Sequence, residues 1–162
     1  IFSGFGVSKG ESDTLVTQLD LSNTILNLVN ISLLTGQKVD SRPLDLSKPN
    51  YEHRDTVFME QEETRALRTK KWLYIERFNK KDMPHLDCEL FDLVNDKDER
   101  KDLSKDKKYL DIVYTLSKKL NSYFKKYSDP NFDLWNGGSA KSNVSNPIFW
   151  KKAWGKQWKC KL

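Results

Sequence analysis

Histidine and cysteine are nearly missing from this chain, with two of each in 162 residues. That scarcity works against zinc, because a structural site wants four protein ligands and a catalytic site three. His85-Leu86-Asp87-Cys88 brings two ligand types together with no partner pair elsewhere, so no metal is expected there. Cys88 and Cys160 stand 72 positions apart and leave a disulfide between them open. Long hydrophobic runs are missing as well. No segment offers the roughly 20 consecutive apolar residues that spanning a bilayer requires, so no membrane partner is expected. The opening Ile1-Phe2-Ser3-Gly4-Phe5-Gly6 carries no Met, charged leader region or small-residue cleavage site, and the natural N-terminus is expected elsewhere. Apolar residues reach only 37%, and the 7 glycines still leave the total under the ~45–50% usual for a globular chain. Such a thin core is expected to lean on protein outside these residues.

Arginine is absent from the last third. The net charge of +5 divides into 4 basic and 5 acidic residues over 1–50, 10 and 13 over 51–100, and 14 and 5 over 101–162. All 14 are lysines, whereas reading phosphate or base edges favours the planar fork of arginine. The excess therefore reads as a solvated surface, and nucleic acid is not expected as a partner, although aromatics interleaved with lysines are of the kind that stack bases. The acidic stretch Asp92 to Glu99 lacks the glycine and alternating carboxylates of a calcium loop and reads as a turn.

What is present is ordered along the chain. Leu15, Val16 and Leu19 lead into Asp20-Leu21-Ser22 and then Ile25, Leu26, Leu28 and Val29. Asp20 or Ser22 can cap a helix beginning there. Residues 35–54 are polar, carry Pro43 and Pro49, and form a connection longer than compact domains usually need. Thr56-Val57-Phe58-Met59, Arg65 to Thr69, Trp72 to Phe78 and Glu89 to Leu93 are four short β-type runs. Lys70-Lys71 has hairpin spacing, although neither residue favours positive φ. From Lys108 to Tyr127, Leu110, Val113, Leu116, Leu120, Tyr123 and Tyr127 recur at three- and four-residue steps, which predicts an amphipathic helix covering the sheet, stopped by Ser128-Asp129-Pro130. The tail beyond holds Trp135, Trp150, Trp154 and Trp158, the last three spaced by four. Exposed, they would make a large apolar patch, so docking against further protein is expected. Asn30-Ile31-Ser32 and Asn143-Val144-Ser145 match the glycosylation pattern, which is frequent by chance.

Three segments in this order carry a resemblance. Thr17-Gln18-Leu19-Asp20-Leu21-Ser22-Asn23-Thr24-Ile25-Leu26 resembles the sulfatase segment of an aliphatic residue, Asp-Leu, any residue, Pro-Thr and leucines. Thr64 to Ile75 is similar to that family's arginine, Arg-Thr and Lys-Tyr-Ile strand. Glu89-Leu90-Phe91-Asp92-Leu93, with Asp96, Glu99 and Leu103, resembles its ELYDL and following acidic turn. Asn23, Asn30, Leu73 and Lys97 depart from the usual proline, glycine, lysine and proline. The resemblance covers roughly residues 1–127 and is to the C-terminal region of a sulfatase of the alkaline phosphatase superfamily, of the bacterial carbohydrate type.

The resemblance implies an α/β protein of which this piece is α+β: the edge of the large α/β domain over 1–34, a linker over 35–54, a small antiparallel four-stranded sheet packed on a long helix over 55–127, and a Trp- and Lys-rich tail over 128–162. It implies hydrolysis of sulfate esters on a sulfated carbohydrate, with formylglycine and calcium both upstream of this chain, a missing N-terminal catalytic domain as partner, and a periplasmic, secreted or lysosomal location. Neither Cys88 nor Cys160 has the Cys-x-Pro-Ser-Arg context, so no catalytic residue carries over. Charged loop residues at a substrate-pocket rim would be His53, Arg54, Glu62, Glu63 and Arg65. An anionic sugar favours a cation, which singles out His53 and Arg65 for substrate binding. The alternatives are a non-catalytic module that binds an acidic polymer and a phosphodiesterase of the same superfamily.

Overall fold

The computed structural model of the chain describes residues 3, 4, 6–32, 39–48, 51–61, 64–77, 88–131, 133 and 135. Residues 85–87, Glu62, Glu63, Cys160, the second glycosylation pattern and the tail tryptophans after Trp135 lie outside them.

The first helix, α1 (Gln18–Leu28), starts earlier than expected. Thr17, rather than Asp20 or Ser22, is its cap. The Thr17 hydroxyl accepts the Asp20 N–H at 3.3 Å, and the Asp20 carboxylate accepts the Thr17 N–H at 2.9 Å, a reciprocal box that satisfies two orphan amides. At its other end Asn30 adopts φ +56°. The Asn30 N–H reaches the Asn27 carbonyl at 3.1 Å and the Ile31 N–H reaches the Leu26 carbonyl at 2.9 Å, which closes the helix in the left-handed turn usually given to glycine. Backbone geometry therefore accounts for the asparagine of the first Asn-Ile-Ser sequence. Asn30→Ala is expected to cost about 1 kcal/mol while Asn30→Gly costs nothing, read as faster amide exchange across the last turn of α1 in the first variant only.

Four strands follow, β1 (Val57–Gln61), β2 (Thr64–Arg68), β3 (Trp72–Arg77) and β4 (Cys88–Asp92), paired antiparallel in the order β1-β2-β3-β4. The β2–β3 turn shows how Lys70-Lys71 can close a hairpin without positive φ. The Thr69 hydroxyl accepts the N–H groups of Lys71 at 3.2 Å and Trp72 at 2.8 Å, so a side chain supplies what glycine would otherwise permit. After β4 the acidic stretch is a turn, as expected. Asp96 accepts the Arg100 and Lys101 N–H groups at 3.1 and 2.8 Å, and Leu103 then donates its N–H to the Leu90 carbonyl at 2.8 Å. The acidic residues that resemble the sulfatase signature thus hold a chain reversal together.

Register fixes which residues face the core. Leu67 pairs with Tyr74 and Tyr74 with Leu90, one row on one face. Against it lies α2 (Leu110–Tyr127), entered by a single 3₁₀ turn over Lys107–Tyr109 and contributing Leu116, Leu120 and Phe124. Leu67, Leu90 and Leu120 are fully buried; each contributes about 1.5–3 kcal/mol relative to an exposed side chain. Phe124, absent from the expected stripe, joins the buried layer, while Leu110 at the first turn is largely exposed. Phe58 and Tyr123 stack with centroids 3.8 Å apart at the β1 end. The opposite sheet face carries a smaller cluster of Ala66, Leu73, Phe91 and Leu93.

Candidate functional site

Asp20, at the first turn of α1, is completely buried, and its carboxylate gathers donors from three segments. Arg54 donates through Nε to Oδ2 at 2.7 Å and through its NH2 nitrogen to Oδ1. The backbone N–H groups of Thr17 and Arg42 donate at 2.9 Å each. Four donors fill the roughly four lone-pair positions that a carboxylate has. Burial pushes the Asp20 carboxyl upward, but the Arg54 hydrogen bonds, the Arg42 and Thr17 amides and the Arg54 charge outweigh it and hold the group well below the usual carboxylate range. Arg54 also reaches Asp40 at 2.8 Å and the Asp40 carbonyl at 2.9 Å. Its guanidinium is raised above its ordinary value, first by the Asp20 hydrogen bonds.

Of residues 35–54, expected to be a linker, the described 39–48 and 51–54 are tied along α1. Besides the Arg42 contact, the Ser41 hydroxyl donates to the Leu19 carbonyl at 2.8 Å, and the Leu44 N–H donates to the Thr24 hydroxyl at 2.9 Å. Thr24 is itself buried and donates to the Asp20 carbonyl at 2.6 Å. The segment is therefore a polar strap, anchored at Asp20 and Thr24.

His53 belongs to this strap, and its side chain is 5% exposed. Its Nε2 is 3.3 Å from Asp20 Oδ2, yet without hydrogen-bond geometry, because the carboxylate is already saturated. Its Nδ1 is 3.4 Å from the Tyr51 hydroxyl, which accepts the Asp45 N–H at 2.8 Å. Tyr51 and Asp45 in turn line a half-open cleft of about 480 Å³ between residues 7–16 and 44–51. The polar groups there are committed internally. Ser8 donates to the Ser47 carbonyl, Thr14 to the Tyr51 carbonyl at 2.5 Å, and Lys48 pairs with Asp45 at 3.1 Å.

Arg65 belongs to a separate network on β2. It donates to Glu60 and Asp133 at 2.8 Å each and to the Ser128 hydroxyl at 3.2 Å. Its guanidinium lies 4.1 Å from the centroid of Phe124 and 5.0 Å from that of Trp135. The side chain is 3% exposed. The sequence had singled out His53 and Arg65 as rim cations. The structure buries both and gives them no partner in common. The hub that sequence reasoning missed is Asp20, and the Thr17-x-x-Asp20 spacing of a capping box was the signal that could have found it.

The described residues contain no cluster of three or more His, Cys, Asp or Glu suited to a metal ion. No helix among them is long and apolar enough to cross a membrane.

No family model matches the chain. No curated protein matches it either. Solved structures do. A Bacteroides thetaiotaomicron VPI-5482 protein with a provisional sulfatase assignment is 28% identical with a TM-score of 0.63, covering 80% of this chain and 30% of its own. A 2-O GAG sulfatase is 25% identical with a TM-score of 0.53, over 68% of this chain and 25% of its own. A third, described with the metabolism of multiple glycosaminoglycans by Bacteroides thetaiotaomicron, has a TM-score of 0.61 at 21% identity, over 74% and 27%. This chain thus spans between a quarter and a third of the length of these structures. The likeness is to bacterial sulfatases, in agreement with the C-terminal sulfatase region that the motifs resemble.

Proposed function

We propose that this chain is the C-terminal part of an exported sulfatase that hydrolyses sulfate esters on a sulfated carbohydrate, with its formylglycine nucleophile and calcium held by protein outside these 162 residues. The observation that carries the reading is the 28% identical structural match over 80% of the chain. It agrees with the order of the three sequence motifs that resemble sulfatases. Cleaving a sulfate ester needs a nucleophile, a cation against the sulfuryl oxygens and an acid for the leaving oxygen. Arg54 and Arg65 are held in internal ion pairs, at Asp20 and Asp133, so their share in the activity is to build and brace. Arg54 fixes the strap on α1, and Arg65 fixes the chain after α2 to the sheet.

The test is turnover of a chromogenic aryl sulfate and of a sulfated disaccharide. The full-length polypeptide is expected to release sulfate from both. Residues 1–162 alone are expected to release none, and clear turnover by them would overturn the reading.

A further inference from the structure

We infer that the end of the sheet at the β2–β3 turn is a contact for a sulfated glycan chain, where Trp72 and Tyr109 receive a sugar ring and Lys71 and Lys108 its sulfates. The choice of a sulfated glycan as the ligand rests on the sulfatase reading. Trp72 opens β3 and Tyr109 closes the 3₁₀ turn before α2, and both are half-buried. Their ring centroids are 5.9 Å apart and the planes cross at 66°. An ammonium lies against each ring: Lys71 Nζ is 4.9 Å from the centroid of Trp72, and Lys108 Nζ is 5.2 Å from that of Tyr109. Both lysines are exposed, and among the described residues neither has a salt-bridge partner.

The carboxylates of the neighbouring turns are held on backbone donors. Asp92 accepts the Val94 N–H at 3.1 Å, Asp102 those of Leu90 and Ser104 at 3.0 and 2.8 Å, and Asp106 that of Lys108 at 2.9 Å. The two ammonium groups are held only by rings. A cation over an exposed ring is a weak contact, so each lysine can leave its ring for a sulfate. The ring face, which is negative, then takes the C–H face of a pyranose. One compact group thus offers what a sulfated sugar presents, an apolar face and an anion. The crossed planes fit nucleic acid less well, because successive bases stack on platforms that follow one another along a basic groove.

Native full-length protein is compared with a Lys71→Gln, Lys108→Gln double variant by retardation in gels containing chondroitin sulfate chains. The double variant, altered only at exposed side chains, is expected to bind about fivefold more weakly. Tyr109→Leu is expected to bind about threefold to tenfold more weakly, and Tyr109→Phe, which keeps the ring, as tightly as the native protein. Amide exchange at Tyr74 and Leu90 checks that the sheet is intact in each. Equal retardation of the native protein and the lysine variant overturns the inference whatever Tyr109→Leu does. Loss in the lysine variant, with a folded Tyr109→Leu retarded like the native protein, reduces the group to bare charge and overturns it too. Tighter binding of single-stranded oligodeoxythymidine than of chondroitin sulfate assigns the rings to nucleic acid and also overturns it. Aryl-sulfate turnover is measured on the same native sample. Turnover without the expected loss of retardation leaves the proposed function standing and removes this inference, whereas the expected loss without turnover does the reverse.

Discussion

Replacing Asp20 with alanine is expected to free the strap of residues 39–48 and 51–54 from α1 at a cost of about 3–5 kcal/mol, the usual penalty for removing one partner of a buried ion pair. The loss exceeds that of a surface pair because Arg54 stays behind, 2% exposed at its side chain and left with Asp40. The Thr17 and Arg42 amides lose their acceptor as well. The effect should be local first. Hydrogen exchange is expected to accelerate at Arg42, whose N–H is held by the carboxylate, and at Leu44, held by Thr24 one turn along. Exchange at Tyr74 and Leu90 in the sheet should change least. Asp20→Asn keeps an acceptor oxygen and the volume but not the charge, so it should fall between. A pair of apolar replacements at 20 and 54 should recover part of the loss, since apolar substitutes avoid the desolvation of both charges.

The same carboxylate sets an acid limit. Its pKa is lowered in the folded state, so the folded form binds fewer protons than the unfolded form as pH falls. The stabilisation is fully present above the unfolded value of about 3.9 and is lost progressively as pH drops from there toward the depressed folded value. Strap release, followed by exchange at Arg42, should therefore appear below about pH 4 in the native sequence. In Asp20→Asn that contribution should be flat across the same range.

How far this architecture was legible depends on whether the signal was local. The strands were, because Trp72 to Arg77 is aromatic and β-branched, and alternation alone separates Leu73 and Ile75 from Tyr74 and Glu76 on opposite faces. The end of α2 was also legible, since Ser128 is its cap and donates its N–H to the Phe124 carbonyl at 2.8 Å. The start of α1 was misplaced because Asp20 can cap a helix by itself, and only the reciprocal bond to Thr17 shows which residue has that role. Phe124, four residues after Leu120 and eight after Leu116, lay within reach of the same local period; what that period does not report is the Arg65 guanidinium over its ring. The candidate site suffered most. His53, Arg54 and Arg65 were sorted by residue type as exposed cations, and what decides their role is burial beside carboxylates 34 positions away at Asp20 and 68 away at Asp133.

Arg65 provides the sharpest separation of these two roles. If it braces the chain after α2, Arg65→Lys should be nearly as damaging as Arg65→Ala. Lysine keeps the charge but cannot donate at once to Glu60, Ser128 and Asp133 in the fixed directions of a guanidinium, nor offer a planar cation to Phe124 and Trp135. Arg65→Ala is expected to cost about 3–5 kcal/mol because it withdraws the guanidinium from a buried carboxylate at Asp133 and opens space beside Phe124. A double-mutant cycle with Asp133→Asn should show coupling between the two positions of about 0.5–3 kcal/mol. If Arg65 instead met an anionic sugar directly, Arg65→Lys would keep most of the stability and raise KM for a sulfated disaccharide in the full-length protein while leaving the Asp133 cycle uncoupled. Denaturant unfolding and KM, measured on the same two variants, separate the brace from the substrate cation. The 3% exposure of the side chain favours the brace.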